Sequence, residues 1–150
     1  MATVIKFEAI DLISKKIAPR GAQPISPTDY GFNFKVAINA SAERKTAVVV
    51  TEISIELSTD NSELAKFHTA MYFEFKDFET IFKKIDEERF DIPIELEILM
   101  KSVALSTTRG IIYSEVRGTY LDAAVLPLVD IPGIVRRDRE AKENENKKAD

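Results

Sequence analysis

Alternating apolar and polar residues dominate the first half of the chain. From Val49 onward every second side chain is apolar or threonine, and FHTAMYFEF (67–75) and YGFNFKVAIN (30–39) follow the same rule. Period-two alternation is typical of an antiparallel strand with one face buried. The turn-forming segments SAERK (41–45) and STDNSE (58–63) separate these strands. We therefore predict a three-stranded meander.

A fourth, less regular strand is predicted at residues 3–17, TVIKFEAIDLISKKI. Up to Ala9 its apolar residues keep one phase, and from Ile10 they take the other. A slip of one residue is what a β-bulge produces, so we expect a bulged strand near an edge of the sheet. The following segment, APRGAQPISPTD (18–29), has three prolines and no alternation. It is predicted to be a long crossover loop.

The second half of the chain changes to a helical period. FETIFKKIDEERF (78–90) predicts a short helix or an ordered turn, and a long helix is predicted from about Pro93 to Arg117. Proline suits the first turn of a helix because its missing N–H costs nothing there, and Gly118 is a suitable stop. The main apolar stripe is predicted to contain Ile92, Leu96, Leu99, Val103, Thr107 and Ile111, and Met100 and Ala104 are predicted to broaden it.

The predicted helix is apolar on more than one side, because Ile98, Leu105 and Ile112 lie off the main stripe. One face of a sheet covers only one stripe, so the remaining apolar surface indicates a second layer, which we interpret as another subunit. Gly110 in the helix interior costs about 1 kcal/mol relative to alanine. It marks either a kink or close packing against a neighbour.

The chain ends with a mostly apolar segment, broken by Pro127, and a highly charged tail, RRDREAKENENKKAD (136–150). The tail is predicted to be disordered or a frayed helix, because two alanines are its only apolar residues. The fold class is α+β: a four-stranded antiparallel sheet with a long helix packed on one face. Residues 1–135 form a single domain in this interpretation.

Composition limits the classes of function. The chain has 150 residues and a net charge of −4. It has no cysteine, and this excludes a disulfide framework and a thiolate metal site. Residues 51–135 carry 8 basic and 16 acidic side chains, so nucleic-acid binding is not expected. No apolar run reaches the ~18 residues of a membrane span, and no signal peptide is evident, so we expect no membrane insertion and a cytoplasmic location.

The sequence gives no positive support for catalysis. His68 is the single histidine and is predicted to lie on the polar face of a strand, where it cannot form a triad or a usual zinc site. The acidic side chains are predicted to be solvated, and no phosphate-binding loop or nucleophile elbow is present. We therefore predict no catalytic residue, no metal site and no cofactor.

The order of elements and one short motif resemble the SecB family of export chaperones. The motif comprises Arg117, Gly118, Thr119 and Tyr120, followed by Leu126-Pro127, and SVALSTTRGI (102–111) resembles the helix of SecB-like proteins. The resemblance covers residues 3 to about 132. It implies a holdase in protein export that binds non-native polypeptides without ATP and assembles as a homotetramer, a dimer of dimers. It also implies client grooves near the crossover loop and the helix.

The apolar segment after the helix has two interpretations. It either packs as a cover over the sheet and helix, or it lines a peptide-binding groove, since aromatic and flexible apolar surface suits promiscuous binding. For the groove, the predicted peptide-binding residues are Tyr30, Phe32, Phe34, Tyr120, Val125 and Leu126.

The tail has little in common with the tail through which the best-known family members contact the SecA motor. A SecA-type motor could instead contact the acidic sheet face, at Glu52, Glu56 and Glu74. Some SecB-like chaperones protect an antitoxin, so the main alternative is a SecB-fold scaffold with one dedicated partner such as an antitoxin. A weaker alternative is a small cone-fold enzyme.

Overall fold

Four long strands form one antiparallel sheet in the order β1-β4-β3-β2. The structure is a computed structural model and describes residues 5–21, 25–26 and 29–149. The strands are β1 (Ile5–Ile17), β2 (Tyr30–Ser41), β3 (Thr46–Leu57) and β4 (Glu63–Phe75). The predicted meander and the edge position of the first strand are confirmed. The crossover must span the sheet because β1 and β2 lie at opposite edges, and its central residues, 22–24 and 27–28, lie outside the described part of the chain.

Bulges in β1 keep most of its apolar residues on one face of the sheet. The register against β4 shifts between Phe7 and Ala9, and again between Leu12 and Ser14. The first shift is the slip that the sequence predicts, and the second was not predicted. Because of the first bulge, Ile10 faces the same side as Phe7 although they are three positions apart.

The segment after β4 forms a small appendage on an aromatic cluster. It contains α1 (Phe78–Ile81) and a hairpin of β5 (Lys83–Lys84) and β6 (Phe90–Asp91). Phe82 stacks on Phe78 with ring centroids 4.4 Å apart and meets Phe75 edge-on at 4.8 Å. The predicted short helix or ordered turn therefore corresponds to one helical turn followed by a hairpin.

The long helix α2 (Ile94–Val116) lies across one face of the sheet, as predicted. Pro93 precedes its first residue and Gly118 follows its end with a φ of +76°. The predicted main stripe is wrong, because Leu99 and Val103 are 50% and 37% exposed. Met100 and Ala104, which were predicted to broaden the stripe, are buried as expected, and the other buried residues of α2 are Leu105, Thr108, Ile112 and Val116. A helix with apolar residues all round carries no periodic signal that could distinguish these two faces.

The two glycines of this region should respond to alanine in opposite directions. Gly118→Ala is expected to lower the free energy of unfolding by about 1–2 kcal/mol, because a side chain disfavours positive φ. Gly110→Ala is expected to raise it by up to about 1 kcal/mol, because an added Cβ at Gly110 meets nothing within 4 Å and alanine favours helix. Urea denaturation of both variants measures the difference, and a change of the same sign in both would contradict this account.

A row of threonines lies between two apolar clusters in the core that the sheet forms with the helix. Thr51 lies opposite Thr69 in the β3–β4 register, and both are buried. The hydroxyls of Thr69 and Thr108 are 2.7 Å apart, and Thr108 also donates to the carbonyl of Ala104 at 2.7 Å. The Thr51 hydroxyl has no hydrogen-bond partner among the described residues. Apolar clusters lie on both sides of this row.

Thr51→Val is expected to raise the free energy of unfolding by about 1 kcal/mol. Valine has nearly the same shape and removes a buried hydroxyl that makes no hydrogen bond, whereas such an unsatisfied group costs about 1–3 kcal/mol. Thr108→Val is the matched control, because it removes two hydrogen bonds and should destabilise the protein. Thermal unfolding of the two variants compares them, and a loss of stability in Thr51→Val would show that its hydroxyl is satisfied.

The chain ends in α3 (Ile131–Ala149). Asp130 accepts a hydrogen bond from the backbone N–H of Gly133 at 3.1 Å, which caps the first turn, and Ile131 and Val135 are buried. Beyond Val135 every side chain that the structure describes is exposed except that of Arg139. Of the two forms predicted for the tail, the structure describes the helical one, and its helix begins before the predicted boundary at residue 136. No helix within the described ranges is long and apolar enough to cross a membrane.

Candidate functional site

The segment between α2 and α3, residues 117–130, covers part of the core and also forms one wall of a groove. We call it the covering segment. Leu121, Ala124 and Leu126 are at most 3% exposed and belong to the core cluster beneath. Val125 and Leu128 are 56% and 85% exposed. The segment thus buries part of its apolar surface, which confirms that it covers the core, and leaves the rest exposed; whether the exposed part binds peptide stays a prediction.

A groove of about 370 Å³ lies between this segment and α2. Its wall on the segment is formed by Ala124, Val125 and Leu126. Its wall on the helix is formed by Ser106, Arg109, Gly110, Ile112 and Tyr113. The Arg117 guanidinium lies over the Tyr113 ring, 5.8 Å from its centroid. The lining is mostly apolar, with the Arg109 guanidinium on the helix side.

Exposed apolar side chains also lie elsewhere on the same two elements. Tyr113 is 52% exposed in the groove, and Leu99 and Val103 are exposed nearer the start of α2. Leu128 lies two residues beyond the groove wall. Of the groove residues, the sequence predicted Val125 and Leu126. It missed Tyr113 and Arg109, and the apolar surplus around the helix was the signal that pointed towards them.

The two predicted tyrosines form a structural junction away from this groove. The Tyr30 hydroxyl donates to the carbonyl of Tyr120 at 3.1 Å, and the Tyr120 hydroxyl donates to the carbonyl of Ala18 at 2.8 Å. Burial raises the pKa of both phenols above the ordinary value, so both remain protonated donors at neutral pH. The pair joins the exit of β1, the start of β2 and the segment after α2.

Phe32 and Phe34 are also away from the groove. They lie on the helix-facing side of β2, opposite Ile55 and Ile53. Both are partly buried and pack against the cluster that contains Leu126 and Ile131. The structure therefore does not bring the six predicted residues into one groove, because these two phenylalanines and the tyrosine pair lie under or beside the covering segment.

An ion-pair network holds α3 against the start of α2. Arg139 donates from Nε to the Glu97 carboxylate at 2.8 Å and from Nη2 to the carbonyl of Ile92 at 2.6 Å, and Lys101 donates to Glu97 at 2.8 Å. Burial raises the pKa of Glu97, but the hydrogen bonds from Lys101 and Arg139 outweigh this effect and leave the pKa below its ordinary value. The sequence did not indicate this network, since Arg139 belongs to a generic charged run.

The three acidic residues predicted to contact a partner do not form a continuous negative patch. Glu52 pairs with Lys66 at 3.2 Å, and Glu74 pairs with Lys6 at 3.4 Å. The hydrogen bond from Lys66 is the main cause that lowers the pKa of Glu52. Glu56 lies opposite Glu63 in the β3–β4 register. Among the residues described here, no group of three or more acidic or histidine side chains is placed to hold a metal ion.

Comparison with known proteins places the fold. The sequence matches no protein-family model and no curated protein. A SecB-like chaperone from Mycobacterium tuberculosis, solved in complex with a ChAD peptide from the HigA1 antitoxin, superposes with a TM-score of 0.56. It is 15% identical, and the match covers 84% of this chain and 91% of that one. A protein of unknown function from Streptococcus agalactiae matches with a TM-score of 0.41 and 15% identity over 86% of this chain and 99% of that one. The protein therefore has a SecB-like fold.

Proposed function

We propose that this protein is an ATP-independent chaperone, a holdase, that binds apolar segments of non-native polypeptides in the groove between α2 and residues 124–126. The observation that carries the proposal is the exposed apolar surface around this groove, formed by Tyr113, Val125 and Leu128. Apolar surface on an adaptable segment binds many sequences, because it gains area without requiring one shape. The proposal assigns no catalysis to the chain.

The peptide bound to the structural neighbour supports the proposal that the ligand is a polypeptide segment. That protein is a chaperone seen with a peptide from an antitoxin. A second candidate function is therefore binding of one dedicated partner, such as an antitoxin, at the same surface. Delivery of clients to a SecA-type motor in protein export, in the cytoplasm, is the role that the family resemblance implies. Of the positions predicted for such a motor, Glu52 and Glu74 are in ion pairs, whereas Glu56 lies opposite the acidic Glu63.

Homo-oligomerisation is part of the proposal, and two exposed apolar surfaces support it. One lies on the edge strand β1, where Phe7, Leu12 and Ile13 are 49%, 37% and 54% exposed. The other is the outer stripe of α2, at Leu99 and Val103. Two separate self-contacting surfaces are what a dimer of dimers requires. Light scattering is expected to give the mass of a tetramer.

The double variant Val125→Ser/Leu128→Ser should bind clients about tenfold more weakly. Full burial of one aliphatic side chain contributes about 1.5–3 kcal/mol, so partial burial of these two side chains that contributes about 1.4 kcal/mol in total corresponds to about tenfold in affinity. The measurement is suppression of aggregation of a denatured model protein after dilution, without nucleotide. Tyr120→Ser and Leu126→Ser are less suitable, because Leu126 is 3% exposed and Tyr120 bonds to Ala18, so these changes would disturb the fold.

Ile85→Ser is the matched control, because Ile85 is 61% exposed at the distant β5–β6 hairpin. It should leave the suppression of aggregation unchanged. Equal loss in both variants would mean that general surface hydrophobicity, rather than the groove, captures clients. If the wild-type protein suppresses no aggregation but binds one antitoxin peptide, the dedicated-partner function replaces the holdase.

A further inference from the structure

We propose that α2 bends in its middle, at residues 106–110, and that α3 is a brace, an element that contacts both halves of α2 and keeps them in line. This inference goes beyond the proposed function and does not depend on it, because it concerns the motion of the chain itself. Three features carry it: the sequence of the helix centre, the divided core beneath that centre, and the contacts of α3.

The centre of α2 is built from residues that hold a helix weakly. Residues 106–110 are STTRG, and serine, threonine and glycine all have a lower helix propensity than alanine. The Thr107 hydroxyl donates to the carbonyl of Val103, four residues back, at 2.8 Å. The Thr108 hydroxyl donates to the carbonyl of Ala104 at 2.7 Å. Such bonds compete with the backbone ladder and often bend helices, so α2 bends most easily here.

The core beneath the helix is divided at the same point. Thr108 contacts the row of threonines, which makes the middle of the contact between sheet and helix polar. On one side of this row, α2 contributes Met100 and Ala104 to an apolar cluster, and on the other side it contributes Ile112 and Val116 to a second cluster. Among the residues that the structure describes, the two clusters have no buried residue in common. A bend at the row therefore need not break either cluster.

The helix α3 contacts both halves of α2. Near its start, Ile131 and Val135 are buried in the cluster of the second half. Further along, Arg139 donates to Glu97 in the first turn of α2 and to the carbonyl of Ile92 just before it. The helix α3 therefore runs past the centre of α2 and joins its two halves. It restrains the bend for as long as the Arg139 contact holds.

The first half of α2 is the part that moves in this proposal. The second half is also held to the sheet edge, because Glu115 accepts a hydrogen bond from Lys15 of β1 at 2.5 Å. Met71 and Phe73 of β4 share the apolar cluster of the first half, and Phe73 lies opposite the half-exposed Phe7 of β1. A tilt of the first half exposes these side chains, so the bend controls how much apolar surface the protein presents.

Hydrogen exchange followed by mass spectrometry tests the bend in the full-length protein. The amides of residues 107–111 should exchange at least about tenfold faster than those of residues 100–104 and 113–116, because a local bend opens only the hydrogen bonds at the centre. The double variant Thr107→Ala/Gly110→Ala should slow exchange at residues 107–111 about tenfold, because both changes raise helix propensity. Equal exchange along the whole of α2 in the wild type would overturn the proposal.

Ser114→Ala is the matched control for the double variant. It also raises helix propensity, but it is an exposed position in the second half and should leave exchange at residues 107–111 unchanged. If it slows exchange at the centre as much as the double variant does, α2 opens as one unit and has no bend. The wild type should exchange alike at high and low protein concentration. Fast exchange at the centre that disappears at high concentration would contradict the proposal, because a second copy of the chain would then hold the helix straight.

Arg139→Ala tests the brace. It should speed exchange at residues 107–111 at least about fivefold and raise the fluorescence of the dye ANS, which binds exposed apolar surface. The control Arg137→Ala removes the same charge from an exposed position of α3 and should change neither quantity. Faster exchange confined to residues 94–98 in Arg139→Ala would show that Arg139 holds only the start of α2, and the brace would then be wrong.

Discussion

Replacing Phe67 with alanine is expected to lower the free energy of unfolding by about 3–5 kcal/mol, the largest effect of any single change considered. The Phe67 side chain is fully buried on the helix-facing side of β4, in the cluster that joins β3, β4, α2 and the covering segment. Truncation leaves a cavity in the middle of a sheet whose backbone is fixed by hydrogen bonds on both sides, so the walls cannot close around it.

Leu128→Ala is the matched control for this loss. It removes an apolar side chain of comparable size that is 85% exposed, so stability should stay within about 0.5 kcal/mol of the wild type. Urea denaturation at one fixed protein concentration compares the variants, because oligomerisation makes stability concentration-dependent. A loss below about 1.5 kcal/mol for Phe67→Ala would mean that α2 shifts to fill the space, and the sheet and helix would then be loosely packed.

Replacing Glu97 with alanine is the second large prediction, with an expected loss of about 2 kcal/mol. Breaking a fully buried ion pair costs about 3–5 kcal/mol, and the partial exposure of this network reduces that figure. The side chains of Glu97, Lys101 and Arg139 are 17%, 15% and 33% exposed. Removal of the carboxylate leaves two cations facing each other and frees α3 from α2. Helical content measured by circular dichroism should fall with stability.

The pH dependence of this network follows from the pKa of Glu97, which lies below its ordinary value in the folded protein. The stabilisation is therefore present above the pKa of the unfolded chain and is lost as pH falls through the lower, folded pKa. The wild type should lose this contribution below about pH 4.5, whereas Glu97→Ala should not.

Glu95→Ala is the control for Glu97→Ala. It removes an exposed carboxylate from the same first turn of α2, where favourable interaction with the helix dipole contributes about 0.3–1 kcal/mol. Similar losses in the two variants would mean that the dipole, and not the contact with Arg139, accounts for the effect of Glu97.

The candidate site was predictable only in part, and the reason differs for its two walls. The apolar segment could be recognised from Val125, Leu126 and Leu128, because a run of apolar residues before a charged tail is evident in the sequence. The helix wall could not be recognised from the sequence, because Leu99 and Met100 are equally apolar. Only packing on the sheet decides that Leu99 is exposed and Met100 is buried. Arg109 could not be singled out from the sequence, because its position in the groove lining is seen only in the structure.

Tyr120 makes a contact that the sequence could not show. As an aromatic residue in an apolar segment it fitted a binding surface, but its hydroxyl is used on the carbonyl of Ala18, which is 102 residues away in the chain. Hydrogen bonds at that separation depend on the arrangement of β1, β4 and the covering segment, and no local pattern reports them. The Glu97–Arg139 contact, 42 residues apart, was missed for the same reason.

The sequence by itself determined the four strands, the slip in β1, the extent of α2 and its stop at Gly118. Those features depend on neighbouring residues: alternation fixes which side chains share a face, and a single glycine permits the φ that ends the helix. The tertiary structure decided which face of α2 meets the sheet, which half of the covering segment is buried, and where a groove remains. These features depend on how much apolar surface each possible packing would bury. A helix that is apolar on several sides does not determine which face is buried until it packs on the sheet.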